Sequence, residues 1–281
     1  MRLRGLGPCF RAELSDLVRH PPIWVGLLVT AAATFFIGKT TPHRLTGWSV
    51  FAAAAAQGGA LASFFLVYAG AGAVAGERTR GTVRFILPRP VARSALVLGK
   101  ACALGVLCVL FAVLCLGSAA LAAADRGFVD VPAVGATEGE DPGWQFTDPP
   151  EQDPNFLSSV LGARARGAAL ALLPALLTAA GLGLAVSSSM RSAAGAVFSA
   201  LLLWIVIHYL PDAVGLSESA ARVSPPAASE ELWLQLRDFG RGLSSAQWPG
   251  YGALPALGAV VFVAGLPLLA AGLFSRAELT D

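Results

Sequence analysis

Several residues have the side chains needed for chemistry. The serines Ser63, Ser118, Ser187, Ser188, Ser189 and Ser199 lie in or beside apolar stretches, and His208 could act as their base. A hydroxyl nucleophile with an imidazole base is the minimal set of a serine hydrolase working inside a membrane. However, serines in apolar helices usually bond to backbone carbonyls, and a His-Tyr pair such as His208-Tyr209 usually anchors a helix at an interface, so the structural reading is preferred. Cys102, Cys108 and Cys115 share one apolar run without a CxxC spacing or a histidine, and with Cys9 they read as small apolar thiols rather than metal ligands or disulfides. The acids Asp125, Asp130, Glu138, Glu140, Asp141, Asp148, Glu151 and Asp153 could hold calcium. Pro132, Pro142, Pro149, Pro150 and Pro154 break the regular ligand spacing of such a loop, which favours a solvated irregular segment. Gly99-Lys100 lacks the GxxxxGK[ST] frame of a nucleotide-binding loop, since Ser94 stands at the first Gly position and Ala101 follows the Lys.

The elements that carry these residues must sit in a bilayer. Of 281 residues, 55% are hydrophobic and 14% charged, far below the roughly one quarter charged of a soluble domain. A net charge of +2 gives no reason to expect a nucleic-acid partner. Six apolar runs, 22–38, 48–75, 101–124, 167–186, 193–210 and 252–274, each approach the ~20 residues of one helical crossing. The first is short, and Arg2, Arg4 and Ala31 to Ala33 give it some likeness to a signal peptide, but the segment ahead of it is too long for an n-region. No Asp, Glu, Lys or Arg lies in the interior of a run, which argues against an ion-coupled carrier or a voltage sensor.

Charge placement orients the runs. With a cytoplasmic N-terminus the inner segments hold 12 basic and 5 acidic residues, or +7, and the outer ones 8 basic and 13 acidic, or −5. The predicted fold is an all-α integral membrane protein, a single transmembrane domain over 1–281 with both termini cytoplasmic. Residues 1–21 form an interfacial helix, with Phe10, Leu14, Leu17 and Val18 at helical spacing before Pro21 and Pro22. The outer loops are 125–166 and 211–251. In the second, Ser229 is predicted to cap a helix with Leu232, Leu236, Phe239 and Leu243 on one face, lying against the crossings or on the membrane. Gly72 and Gly76 form a GxxxG, while Pro174, Gly181, Gly183, Pro255 and Pro267 permit bends.

The segment 76–100 joins the second and third runs and is strongly basic, with an apolar patch at Val83, Phe85, Ile86 and Leu87; Pro88 and Pro90 end any helix, and Ser94 can cap the next. By physics alone it could bind anionic lipid or dock a soluble partner. In order it carries Gly76-Glu77-Arg78, Gly81-Thr82, Arg89-Pro90-Val91, Arg93 and Gly99-Lys100. This series resembles the signature of ABC-2-type transporter permeases. Gly181-Leu182-Gly183-Leu184 with Ser187, Arg191 and Ser192 looks like that family's tight inner turn, and the close from Leu268 to Glu278 looks like its final helix and short tail.

The resemblance implies that the loop after the second crossing is a coupling helix seated on a separate ATP-binding subunit. Glu77, Arg78, Arg80, Gly81, Thr82 and Arg84 would form or flank that contact, and Phe85, Ile86 and Leu87 would pack beneath it. It also implies a second permease copy, most simply a homodimer, around one translocation path. ATP and Mg would be bound by the partner, leaving this chain without cofactor, metal or catalytic residues, in a bacterial-type cytoplasmic membrane. The alternative is a force-transmitting subunit of an ATP-driven envelope machine that moves no solute, with the loop at 125–166 docking an extracytoplasmic partner.

Overall fold

A computed structural model describes residues 6–41, 46–81, 93–128, 160–213, 223–239 and 253–276. These form eight α-helices: α1 Leu6–Arg19, α2 Pro21–Thr40, α3 Gly47–Thr79, α4 Arg93–Ala123, α5 Val160–Ser189, α6 Ala193–Ala213, α7 Pro225–Phe239 and α8 Ala253–Arg276. A short 3-10 turn, Ala124–Arg126, follows α4. Five helices, α2, α3, α4, α5 and α8, are long and apolar enough to cross a membrane, while the apolar part of α6, Ala193–His208, is shorter. Each of the six predicted runs lies within or largely within one helix.

Several helices outrun their apolar stretches. At 1.5 Å per residue the 33 residues of α3 span roughly 50 Å, against about 30 Å of hydrocarbon. The charged ends of α3 and α4 therefore need not enter lipid, and the helix ladder continues through Glu77 and from Arg93. The centre of the fold is α3 beside α5. Gly70 and Gly183 meet where a Cβ on Gly70 would lie 2.4 Å from the Ala180 carbonyl oxygen, and one on Gly183 would lie 2.4 Å from that of Val67. Only glycine permits two backbones to come this close. By contrast, a Cβ on Gly72 or Gly76 meets no heavy atom within 4 Å among the described residues, so that GxxxG is not a helix-packing seam here. Outward faces stay apolar: Leu170 is 76% exposed and Phe198 70%, as expected for lipid-facing positions.

At one end of the bundle the Asp125 carboxylate accepts from Lys39 at 2.9 Å, Arg126 Nη2 donates to the Lys39 carbonyl at 3.2 Å, and the Gly47 N–H donates to the Gly127 carbonyl at 2.8 Å. Helix α7 packs at this end. Trp48, Phe51, Phe128 and Trp233 pack edge to face, with Trp48 and Trp233 buried, and Ser49 Oγ donates to the Arg237 carbonyl at 3.1 Å. The amphipathic helix therefore lies against the crossings, with Leu232 and Leu236 in the core as the periodicity predicts. It starts four residues before Ser229, because Pro225 and Pro226 fit a first turn that needs no amide donors. Ser229 is buried inside it, and the Ala228 N–H bonds to the Ser224 carbonyl at 3.0 Å. Leu243 lies outside the described residues, as do 129–159 of the acidic loop and the tail after Arg276.

Most of the polar residues in apolar runs take the structural role. Ser63 and Ser188 hydroxyls donate to the carbonyls of Gly59 and Leu184 at 2.9 Å each. His208 stacks on Trp204 and faces Glu230 of α7 at 3.4 Å, tying the two elements together. Cys108 and Cys115 are buried as free thiols.

Candidate coupling site

The opposite end of the bundle gathers the residues of the motif. Helix α3 stops at a glycine in the left-handed region: Gly81 has φ +71°, the Arg80 N–H donates to the Gly76 carbonyl at 3.1 Å, and the Gly81 N–H donates to that of Arg78 at 3.0 Å. A side chain at that φ is strained, which explains a glycine here: it ends the helix and turns the chain into the segment that follows. Arg80, just before the turn, is exposed.

The segment is clasped at its base. Lys100, in α4, donates to Glu77 of α3 at 2.8 Å and also pairs with Glu13 of α1. The first acid and the last cation of the 76–100 motif thus hold each other. The Lys100 side chain is 2% exposed, Glu77 22% and Glu13 15%. An ammonium this buried needs such partners, and its three donors suit two carboxylates. Burial pushes the Glu13 carboxyl above its ordinary range, with Lys100 opposing that shift. On α1, Cys9, Phe10, Glu13, Leu14 and Leu17 form the half-buried face, while Val18 is exposed. A Cβ on Gly99 would sit 2.9 Å from that of Cys9, so α1 lies close on the start of α4.

The other side of the same turn of α3 is bonded to α5, α6 and α8. Arg78 Nη1 donates to the Met190 carbonyl at 2.9 Å, and the guanidinium lies 5.1 Å from the Phe274 ring centre, within cation–π range. The Thr79 hydroxyl donates to the Ala75 carbonyl at 2.8 Å and accepts from the Ala193 N–H at 3.0 Å. Ser187 Oγ, fully buried, accepts from the N–H groups of Val74 at 3.0 Å and Ala75 at 2.8 Å. The last turns of α3 therefore contact four other helices, α4, α5, α6 and α8, and the Met190 carbonyl in the turn between α5 and α6.

Among the residues predicted for the contact, Glu77 and Arg78 turn inward into this bonding network, whereas Arg80 is exposed and Gly81 half-buried. Thr82, Arg84, Phe85, Ile86 and Leu87 lie outside the described residues. Lys100, Glu13, Thr79 and Ser187 were not singled out for the site by sequence reasoning. Lys100 could have been: it is the cation closest to an apolar run on the side where Glu77 borders another, and opposite charges flanking neighbouring crossings invite pairing. Glu13 carried a weaker signal, as an acid on the apolar stripe of an amphipathic helix.

This end of the bundle offers a turn presenting Arg80 on a base cross-linked by charge and hydrogen bonds. No curated protein matches the sequence. Residues 25–138 match the family described as ABC-2 family transporter protein.

Proposed function

We propose that this chain is the membrane-spanning subunit of an ATP-driven exporter, working as a dimer and driven by a separate ATP-binding subunit that seats on the segment 76–100. The observation that carries the reading is the base of that segment, where Glu77 and Lys100 clasp its two ends and the final turns of α3 bond to Lys100, Ser187, Met190 and Ala193. A push delivered there reaches the crossings through short, buried contacts. Orientation follows the charge bias: the end bearing Arg78, Arg80, Arg93 and Lys100 faces the cytoplasm of a bacterial-type membrane, and α6 completes six crossings. Helix α1 lies in the inner interface and α7 covers the outer ends of α3 and α5. ATP and Mg bind the partner.

Arg80 is the residue to test, since reversing Glu77 would break the Lys100 cluster and confuse folding with docking. The full chain is co-expressed with its ATP-binding partner and purified in lipid nanodiscs. Arg80→Glu with Arg84→Glu is expected to abolish co-purification of the partner while the permease still elutes as a single species. Undiminished co-purification and ATPase activity would contradict the proposal.

A further inference from the structure

The bonds between α3 and α5 follow a pattern that extends to α6. Gly70 meets Gly183, Val74 meets Ser187, and Thr79 meets Ala193, so the two helices run side by side in the same direction with matched register before the chain turns into α6. Each contact fastens backbone to backbone or hydroxyl to backbone, with no long side chain to absorb movement. Ser187 engages two consecutive amides of α3 from a fully buried position. Thr79 accepts from the amide of Ala193, the first residue of α6, which has no acceptor within its own helix. Arg78 holds the Met190 carbonyl in the turn between them. Beyond this, α6 packs on α3 and α5.

We infer that Thr79 and Ser187 are positioning residues that fasten the Met190–Ser192 turn and the head of α6 to the end of α3, making α6 the crossing that moves with the coupling segment. The inference rests on the proposed coupling role of that segment and names the route by which its displacement enters the bilayer. Helix α2 has no bond of this type to the end of α3 among the described residues, so α6 should move relative to α2.

The test uses the complex with the ATP-binding subunit in nanodiscs, with the native cysteines replaced by alanine and spin labels on exposed sites. One pair, Tyr68→Cys on the exposed face of α3 and Arg191→Cys, reports on the fastened end; a second, Phe36→Cys and Val206→Cys, reports on α6 against α2. Distances are compared in the nucleotide-free and vanadate-trapped ATP states. The expected result is an unchanged first distance and a shifted second one. In Thr79→Val with Ser187→Ala, each lost hydrogen bond weakens docking of the turn by about fivefold. The first distribution should then broaden and the shift of the second collapse, while Thr79→Ser with native Ser187 restores both. If the first distance changes as much as the second in the wild type, or the double variant transmits the full shift, this inference is overturned and the coupling role stands. If the partner is bound and hydrolysing ATP yet neither distance changes, both fall.

Discussion

Replacing Lys100 by methionine removes the cation shared by Glu13 and Glu77 while keeping the bulk of the side chain. Leaving a buried carboxylate without its partner costs about 3–5 kcal/mol in a dry site. Here the lysine is 2% exposed but its partners are 15% and 22% exposed, which lowers the expected loss to about 2–3 kcal/mol. For a chain of this length that corresponds to a fall in Tm of roughly 5–10 °C, followed by tryptophan fluorescence in nanodiscs. The deficit should shrink from pH 7.5 to pH 5.5, because burial holds the Glu13 carboxyl above its ordinary range and losing Lys100 removes the charge that opposes this, so Glu13 is neutralised more readily as the pH falls. The triple change Lys100→Met, Glu13→Gln and Glu77→Gln leaves no buried charge and should return to within about 1 kcal/mol of the wild type. A Tm unchanged in Lys100→Met, or a triple variant as unstable as the single one, would refute the idea that this ion cluster holds the base of the segment.

Other outcomes follow from the same geometry. Glu13 binds its proton more readily in the folded chain than in the unfolded one, so its ionised form costs stability above the raised value, and that cost is relieved as the pH falls toward 4.5. The stability of wild type relative to Glu13→Gln should therefore rise on acidification across this window; a flat difference would count against a buried, raised carboxyl. Gly183→Ala forces α5 away from the Val67 carbonyl and should cost about 1–3 kcal/mol, whereas Gly72→Ala should stay within about 0.5 kcal/mol of wild type in the same melting assay. Trp233→Ala empties the aromatic cluster that holds α7 and should cost about 3–5 kcal/mol, read as faster proteolysis within 225–239 of the chain in nanodiscs; unchanged cleavage would mean α7 is not held there.

The apolar runs were readable because lipid imposes one requirement, about 20 uncharged residues per crossing, and that requirement is local in sequence. Helix ends were less so: α3 continues to Thr79 and α4 begins at Arg93 because helices longer than the bilayer is thick carry their charged turns beyond it, and hydropathy alone does not register those turns. The amphipathic helix α7 was legible from Leu232 and Leu236, but its start was misplaced because Ser229 looks like a cap while Pro225 is an equally good first residue. At the site, Glu77, Arg78 and Gly81 were recognisable from the motif, yet the motif does not say which way they face. Glu77 serves the inside of the protein because Lys100 arrives from another helix, a fact of tertiary packing. Ser187 was equally hidden: most serines here bond back to their own helix, as Ser63 and Ser188 do, and nothing local distinguishes the one that bonds across to α3.

The proposed function has an ATP-binding subunit seated on the segment clasped by Glu77 and Lys100. Photo-crosslinking tests it most directly, with a photoreactive amino acid placed in turn at Arg80, Thr82 and Arg84 at one end of the protein and at Glu230 at the other, in cells that also express the partner. ATP-sensitive crosslinks to the ATP-binding subunit are expected from the first three positions and none from Glu230. Capture from Glu230, or no capture from any of the three while the complex still co-purifies, would contradict it.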